Sequence, residues 1–74
     1  MHQLPREQAP KGWVIYISDD GRGPYYARRE RAPFFTSEQL RAGLEMTLAR
    51  DTLAEIAVAI AGQMDLERQL GVNA

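Results

Sequence analysis

The apolar residues of the C-terminal half change sides part-way along, and this pattern constrains the fold most. At about 100° per residue, two apolar groups between Ser37 and Leu70 occupy roughly opposite sectors of a helix. The first group is Leu40, Leu44 and Leu48, and the second is Leu53, Ile56, Ala57, Ile60 and Met64. Either one helix with two stripes or two helices with one stripe each leaves more apolar surface than one short hairpin covers. The pattern therefore favours self-association or a partner protein.

Capping signals predict where the helices begin. Thr36 starts a T-x-x-Q capping box, flanked by a hydrophobic staple. A second box starts at Thr52, where the apolar stripe changes side. These signals favour two helices, over about 37–50 and 53–70. Because no Gly or Pro marks the joint, one continuous helix over 37–70 stays open as the alternative.

The residues before these helices predict a β-hairpin over 12–31. Residues 13–17 are β-branched or aromatic throughout, and the Asp-Asp-Gly-Arg-Gly sequence at 19–23 is typical of a hairpin loop. The alternation of the second strand separates two sets of residues: Tyr25, Ala27 and Arg29 from Tyr26, Arg28 and Glu30. A short third strand at Phe34–Phe35 is left open.

The fold class that follows is α+β, a hairpin packed on one long or two shorter C-terminal helices. With 74 residues the chain holds a single domain, which we place at residues 12–74. Residues 1–11 have two prolines and no periodicity, so we expect a flexible N-terminal arm there.

The composition argues against disulfides, a metal site, a membrane span and a signal peptide. The chain has no Cys, and its one His is at position 2, so neither a disulfide nor a metal site is expected. For a scaffold this small, oligomerisation is the stabiliser that remains. No apolar run approaches the roughly 20 residues of a membrane span, and the N-terminus lacks the apolar core of a signal peptide. We therefore expect a cytoplasmic protein without membrane contact.

The net charge of −1 is divided unevenly along the chain. Residues 1–36 hold six basic and four acidic side chains, whereas residues 37–74 hold three basic and six acidic ones. Nucleic-acid-binding domains usually have a stronger basic excess. The charge distribution is therefore only mild support for a nucleic-acid partner.

The basic and aromatic segment over 25–31 is the best candidate for a partner-binding site. Tyr and Arg are common anchors of protein interfaces, and they also stack on bases and contact phosphates. The candidate residues are Tyr25, Tyr26, Arg28, Arg29 and Arg31. We favour the simpler interpretation, a solvated outer strand whose arginines protect a sheet edge and pair with carboxylates of the helices.

The second apolar stripe is the candidate dimer interface. Small residues four apart, at Ala57 and Ala61, let another helix approach closely. The interface residues would be Leu53, Ile56, Ala57, Ile60 and Met64. The alternative is that this stripe packs against the hairpin within one chain, as most apolar helix faces do. We expect a homodimer.

No catalytic constellation is present, so we expect no enzymatic activity and no cofactor. Ser18 and Ser37 lie at a strand end and a helix start, and no base is placed to activate them. The expected function is a small regulatory or inhibitory module that binds another protein, a build common among phage and mobile-element accessory proteins. The alternatives are a structural assembly subunit and a dimeric nucleic-acid-binding regulator. The regulator would use the arginines of the hairpin, Arg22, Arg28, Arg29 and Arg31.

Overall fold

Four short strands form one antiparallel sheet in the order β1-β2-β3-β4. The strands are β1 (His2–Gln3), β2 (Trp13–Ile17), β3 (Tyr25–Arg29) and β4 (Thr47–Arg50). The helices are α1 (Ser37–Arg41) and α2 (Leu53–Leu70), and a 3-10 turn spans Arg6–Gln8. This computed structural model describes residues 2–20, 22, 24–31 and 34–71. The predicted α+β class, a hairpin packed on a C-terminal helix, is confirmed.

The β2–β3 hairpin places its apolar residues on alternating faces. Trp13 lies opposite Arg29, and Ile15 lies opposite Ala27. Because side chains alternate along a strand, these four residues share one face, and α2 packs on that face. The buried core cluster consists of Trp13, Ile15, Ala27, Leu48, Ile56 and Ile60. Burying it supplies the main favourable term in folding.

Helix α2 begins and ends at the residues that the sequence predicts. The Glu55 N–H donates to Oγ1 of Thr52 over 3.1 Å, and Gly71 ends the helix with a left-handed φ of 69°. Ile56 and Ile60 are one turn apart and fully buried, so they hold α2 against the sheet.

Helix α1 has the predicted start but is much shorter than predicted. The Gln39 N–H donates to Oγ1 of Thr36 over 3.1 Å, and the Thr36 N–H donates to Oε1 of Gln39 over 2.8 Å. The helix nevertheless ends at Arg41, because Gly43 has a φ of 112°, which breaks the helical path. The prediction of helix over 42–50, in either the one-helix or the two-helix form, is wrong.

Strand β4 replaces the second half of that predicted helix. Its pairing with β3 sets Leu48 opposite Ala27, in the core. Leu44 is also buried, whereas Leu40 stays half exposed on α1. The first apolar stripe is therefore divided between a helix, a loop and a strand.

The N-terminal residues, expected as an arm with little order, have regular structure. His2 lies opposite Ile17, and the Leu4 N–H donates to the Ile15 carbonyl over 2.8 Å. Leu4 and Ala9 pack against the core cluster. Strand β1 is only two residues long, too short for a period to be read from sequence. The open alternative of a strand at Phe34–Phe35 is not realised, since both residues lack regular structure.

None of the helices in the described part of the chain is both long and apolar enough to cross a membrane. The longest, α2, carries four charged side chains, those of Glu55, Asp65, Glu67 and Arg68. Its sequence is that of a helix with one apolar face, packed on a sheet.

Gly43 and Gly62 give a matched test of the backbone turn that follows α1 at residue 43. We expect Gly43→Ala to lower the free energy of unfolding by about 1–3 kcal/mol, because its φ of 112° is strained for any residue with a Cβ. Gly62→Ala, inside α2 with nothing near the added methyl group, should raise it by about 0.5–1 kcal/mol. Urea unfolding followed by far-UV circular dichroism measures both. Equal effects of the two substitutions would contradict the claim that the backbone turn at residue 43 is strained for a residue with a Cβ.

Candidate binding face of the sheet

The face of the sheet opposite α2 is the candidate functional site. Strand alternation places seven residues on this open face: Gln3, Val14, Tyr16, Tyr26, Arg28, Thr47 and Ala49. Val14 is buried, the two tyrosines are half-buried, and the other four are exposed. The open face therefore offers a half-buried aromatic centre with a polar and small-residue surround.

Two tyrosines form the centre of the open face. Tyr16 of β2 lies directly opposite Tyr26 of β3, and Ala49 of β4 lies on the other side of Tyr26. Directly opposite residues in an antiparallel pair have Cβ atoms about 5 Å apart, so the two rings are neighbours. The small side chain of Ala49 leaves the adjoining ring accessible from the β4 side.

Arg28 supplies the charge of the open face. It lies opposite Val14 and diagonal to Tyr16, and its guanidinium carbon is 5.8 Å from the centroid of the Tyr16 ring. This is the outer range of a cation–π contact, so the guanidinium stays available to another group.

The four strands contain no carboxylate. They contain three arginines, and the Asp and Glu residues of the chain lie in loops, turns and helices. Of the three arginines, only Arg28 lies on the open face, since Arg29 and Arg50 share the opposite side with Leu48. A ligand on the open face therefore meets tyrosine rings and one positive charge.

The structure separates the five predicted partner-binding residues. Tyr26 and Arg28 lie together on the open face, and Arg31 is exposed beyond the end of β3. Tyr25 packs against the core on the helix side, and Arg29 is only 6% exposed. Only Tyr26 and Arg28 are therefore brought together on one accessible surface.

Arg29 is a structural residue held by partners on every side. Its Nε donates to the Glu45 carbonyl over 2.9 Å, its Nη2 donates to Oε1 of Gln63 over 3.0 Å, and its Nη1 pairs with the Glu67 carboxylate. The guanidinium carbon also lies 4.5 Å from the Trp13 ring centroid. Since a buried charge is costly unless it is paired, Arg29 depends on these groups.

Gln63 extends this arrangement to the loop before β4. Its Nε2 donates to the Gly43 carbonyl over 2.9 Å, and its Oε1 also accepts the Glu45 N–H over 2.9 Å. We call Arg29, Gln63 and Glu67 the Arg29 cluster. Gln63 and Glu67 are buried one turn apart on α2, so the cluster ties β3, the loop over 43–46 and α2 together.

The predicted dimer residues are also divided. Ile56 and Ile60 are fully buried in the core of one chain, and Leu53 is half-buried against it. Ala57 is exposed, and Met64 is 40% exposed. The stripe therefore packs mainly on its own sheet, and self-association stays a prediction that needs another surface.

The turn between β2 and β3 is organised by Asp20. Its carboxylate accepts the Arg22 N–H over 3.1 Å and the Ser18 hydroxyl over 2.7 Å, and these two hydrogen bonds lower the pKa of Asp20. Gly21 and Gly23 lie outside the described residues. Across the described residues, no group of three or more His, Asp and Glu side chains could hold a metal ion.

Sequence reasoning placed Tyr26 and Arg28 on one face but did not join them to Tyr16, Val14 and Ala49. The signal for Tyr16 was present, because its alternation with Ile15 and Ile17 assigns it to the face opposite the core. Ala49 could not be found in this way, since it belongs to the strand that the sequence analysis did not predict.

Comparison with known proteins gives no match to this chain among protein-family models, curated proteins or solved structures. The open face and its chemistry are therefore the basis on which a function is proposed.

Arg28 and Arg29 give a matched test of which side of β3 is buried. We expect Arg29→Ala to lower the free energy of unfolding by about 3–5 kcal/mol, because it leaves Glu67 buried and unpaired. Arg28→Ala, on the exposed side of the same strand, should change it by about 0.5 kcal/mol or less. Urea unfolding followed by far-UV circular dichroism compares the two variants. Similar losses of stability in both would show that Arg29 is not the buried partner of Glu67.

Proposed function

We propose that the protein is a small non-enzymatic regulatory or inhibitory module that binds another protein through the open face. We further propose that it works as a homodimer in the cytoplasm. The observation that carries the proposal is the pair of half-buried tyrosines, Tyr16 and Tyr26, beside the accessible guanidinium of Arg28. Tyr and Arg are enriched among the residues that dominate binding energy at protein interfaces.

The dimensions of the sheet fit the centre of a protein interface. Neighbouring strands lie about 4.8 Å apart and rise about 3.3 Å per residue, so β2, β3 and β4 make a surface about 10 Å wide and about 17 Å long. A stable interface buries about 800 Å² on each partner, which is larger than this patch. The open face would therefore supply the aromatic centre, and the surrounding loops would supply the polar rim.

The chemistry of the open face indicates the kind of partner surface that fits it. Arg28 favours a carboxylate, because a guanidinium binds a carboxylate through two parallel hydrogen bonds. The Tyr16 and Tyr26 rings favour an apolar or aromatic group beside that carboxylate. The strands present no carboxylate that would repel an acidic partner. We therefore propose a partner with an acidic residue flanked by apolar side chains.

A nucleic-acid partner is the second candidate, and the same tyrosine pair favours it. Tyrosines on an open sheet face stack on unpaired bases, and an adjacent Arg contacts phosphate. The electrostatic support is weaker, because Arg29 is buried against Glu67 and is not available to phosphate. Of the strand arginines, the open face presents Arg28 alone, whereas nucleic-acid affinity grows with the number of phosphates neutralised.

Partner capture with an open-face variant tests the protein-binding proposal. The immobilised protein is incubated with native-host lysate, and the captured proteins are quantified by mass spectrometry. We expect the Tyr26→Ala and Arg28→Glu double variant to recover at least about tenfold less of the specific partner, since interface anchors contribute 2 kcal/mol or more. Arg41→Glu, an equal charge change at the exposed end of α1, is the matched control and should retain capture. Equal recovery by the double variant would remove the open face from consideration.

Fluorescence anisotropy with mixed-sequence DNA and RNA separates the two candidates. The protein-binding proposal predicts weak binding at roughly 50 mM salt and little change at 200 mM, because few phosphates are contacted. Tight binding that falls steeply over this range, and that Arg28→Glu abolishes, would favour the nucleic-acid function instead.

A further inference from the structure

Strand β4 is an edge strand whose outward backbone groups can be identified. The Arg29 N–H donates to the carbonyl of Met46, the residue before β4, over 3.2 Å. Because backbone groups point to alternate sides along a strand, Leu48 and Arg50 also direct their N–H and C=O groups toward β3. Thr47 and Ala49 therefore direct their N–H and C=O groups away from the sheet. Among the described residues, no strand pairs with this outer side. The Arg50 side chain folds back on it, with Nη1 donating to the Ala49 carbonyl over 2.7 Å.

An apolar groove of about 360 Å³ lies beside the end of β4. It is lined by Arg50, Ala54, Glu55, Val58 and Ala59. Val58 is 73% exposed and lies two residues from each of the buried Ile56 and Ile60, so it is on the side of α2 that faces away from the sheet. A second groove, lined by Leu53, Ala57 and residues 7–10, lies on the β2 side of α2. Because Arg50 of β4 and Ala59 line the first groove, it is on the β4 flank of the helix, next to the unpaired edge.

We propose that this edge is the dimer interface, where β4 pairs antiparallel with β4 of a second copy of this chain. The two-fold axis passes beside Leu48. Thr47 then lies opposite Ala49 of the second copy, and each of these two pairs exchanges two backbone hydrogen bonds. The product is a continuous eight-stranded sheet. This inference names the surface of the homodimer proposed above and rests on that homodimer, but it does not depend on the open-face partner site.

The charge at the end of β4 favours this arrangement over a parallel one. Arg50 ends the strand and is exposed. Antiparallel pairing about Leu48 sets Arg50 opposite Met46 of the second copy, which keeps the two Arg50 residues about 13 Å apart along the strands. Parallel pairing in the same register would bring the two Arg50 side chains together.

The position of α2 fits the same two-fold axis. The helix packs on β3 and β4, so its axis lies about 5 Å from a two-fold axis that runs midway between the two β4 strands. The two α2 helices would then be about 10 Å apart, within the distance at which packed helices contact each other. Ala59 lies on this flank of each helix, half-buried against the core, and its small side chain allows the approach.

Proline substitution at the edge tests the pairing. Ala49→Pro removes an outward N–H and leaves the ladder to β3 intact, whereas Ala49→Val keeps that N–H. Sedimentation equilibrium over a concentration series should show a dimer for the natural chain and for Ala49→Val. The dimer dissociation constant of Ala49→Pro should be at least tenfold higher, with an unchanged far-UV spectrum. A monomeric natural chain, or a dimer that Ala49→Pro leaves intact, would overturn the proposal.

A charge-pair comparison gives a second test that does not depend on proline. In the proposed register, Thr47→Glu with Ala49→Glu places two carboxylates opposite each other in both pairs, whereas Thr47→Glu with Ala49→Lys places a carboxylate opposite an amine. The first double variant should weaken the dimer and the second should retain it, because residues 47 and 49 of different copies lie opposite each other only in antiparallel pairing about Leu48. Equal dissociation constants of the two double variants would overturn the register even if Ala49→Pro unfolds the chain. The open-face variant Tyr26→Ala and Arg28→Glu should remain dimeric, so loss of partner capture and loss of the dimer are distinguishable.

Discussion

The rest of the structure depends on the burial of one positive charge, the guanidinium of Arg29. A charge removed from water requires a counter-charge and filled hydrogen-bonding positions, and here Glu67, Gln63 and the Glu45 carbonyl supply them. These groups come from the C-terminal half of α2 and from the loop before β4. The hydrogen bonds to Arg29 therefore fix the position of the C-terminal half of α2 on the sheet and the position of the loop that leads into β4. Gln63 strengthens the constraint, because it also bonds to the Gly43 carbonyl at the backbone turn after α1.

This constraint explains why two neighbouring arginines have different roles. Strand alternation sends Arg29 toward α2 and Arg28 to the opposite side, beside Tyr16. By the same alternation, Tyr16 and Tyr26 lie on the face of the sheet that α2 does not cover. The proposed function and the proposed dimer then use different parts of one sheet, its open face and its β4 edge. A dimer built at that edge would double the open face and present two copies of the tyrosine pair on one continuous surface.

Local signals in the sequence predicted more of the fold than its long-range pairing. The capping box at Thr36, the helix start at Thr52 and the alternation of the hairpin depend on residues close together in the chain, and all three were confirmed. At Thr52 the structure has the N-cap hydrogen bond from the Glu55 N–H, which is one half of the predicted capping box. Strand β4 was missed because Leu44 and Leu48 have the four-residue spacing of a helix face. Gly43 was the available counter-signal, since a positive φ stops a helix. Periodicity identified the buried stripe at Ile56 and Ile60, but it does not say whether such a stripe meets its own chain or another. The burial of Arg29 depends on Glu67, 38 residues away, which no local pattern reveals.

A double-mutant cycle between Arg29 and Glu67 tests the central claim most directly. The free energy of unfolding is measured for Arg29→Met, for Glu67→Met and for the two substitutions together. Each single substitution leaves one buried charge without its partner, whereas the double variant removes both charges and retains the apolar volume. The account predicts that the double variant is at least about 2 kcal/mol more stable than the sum of the single effects implies. Additivity within about 0.5 kcal/mol would mean that the two side chains are not coupled and that this buried pair does not organise the fold.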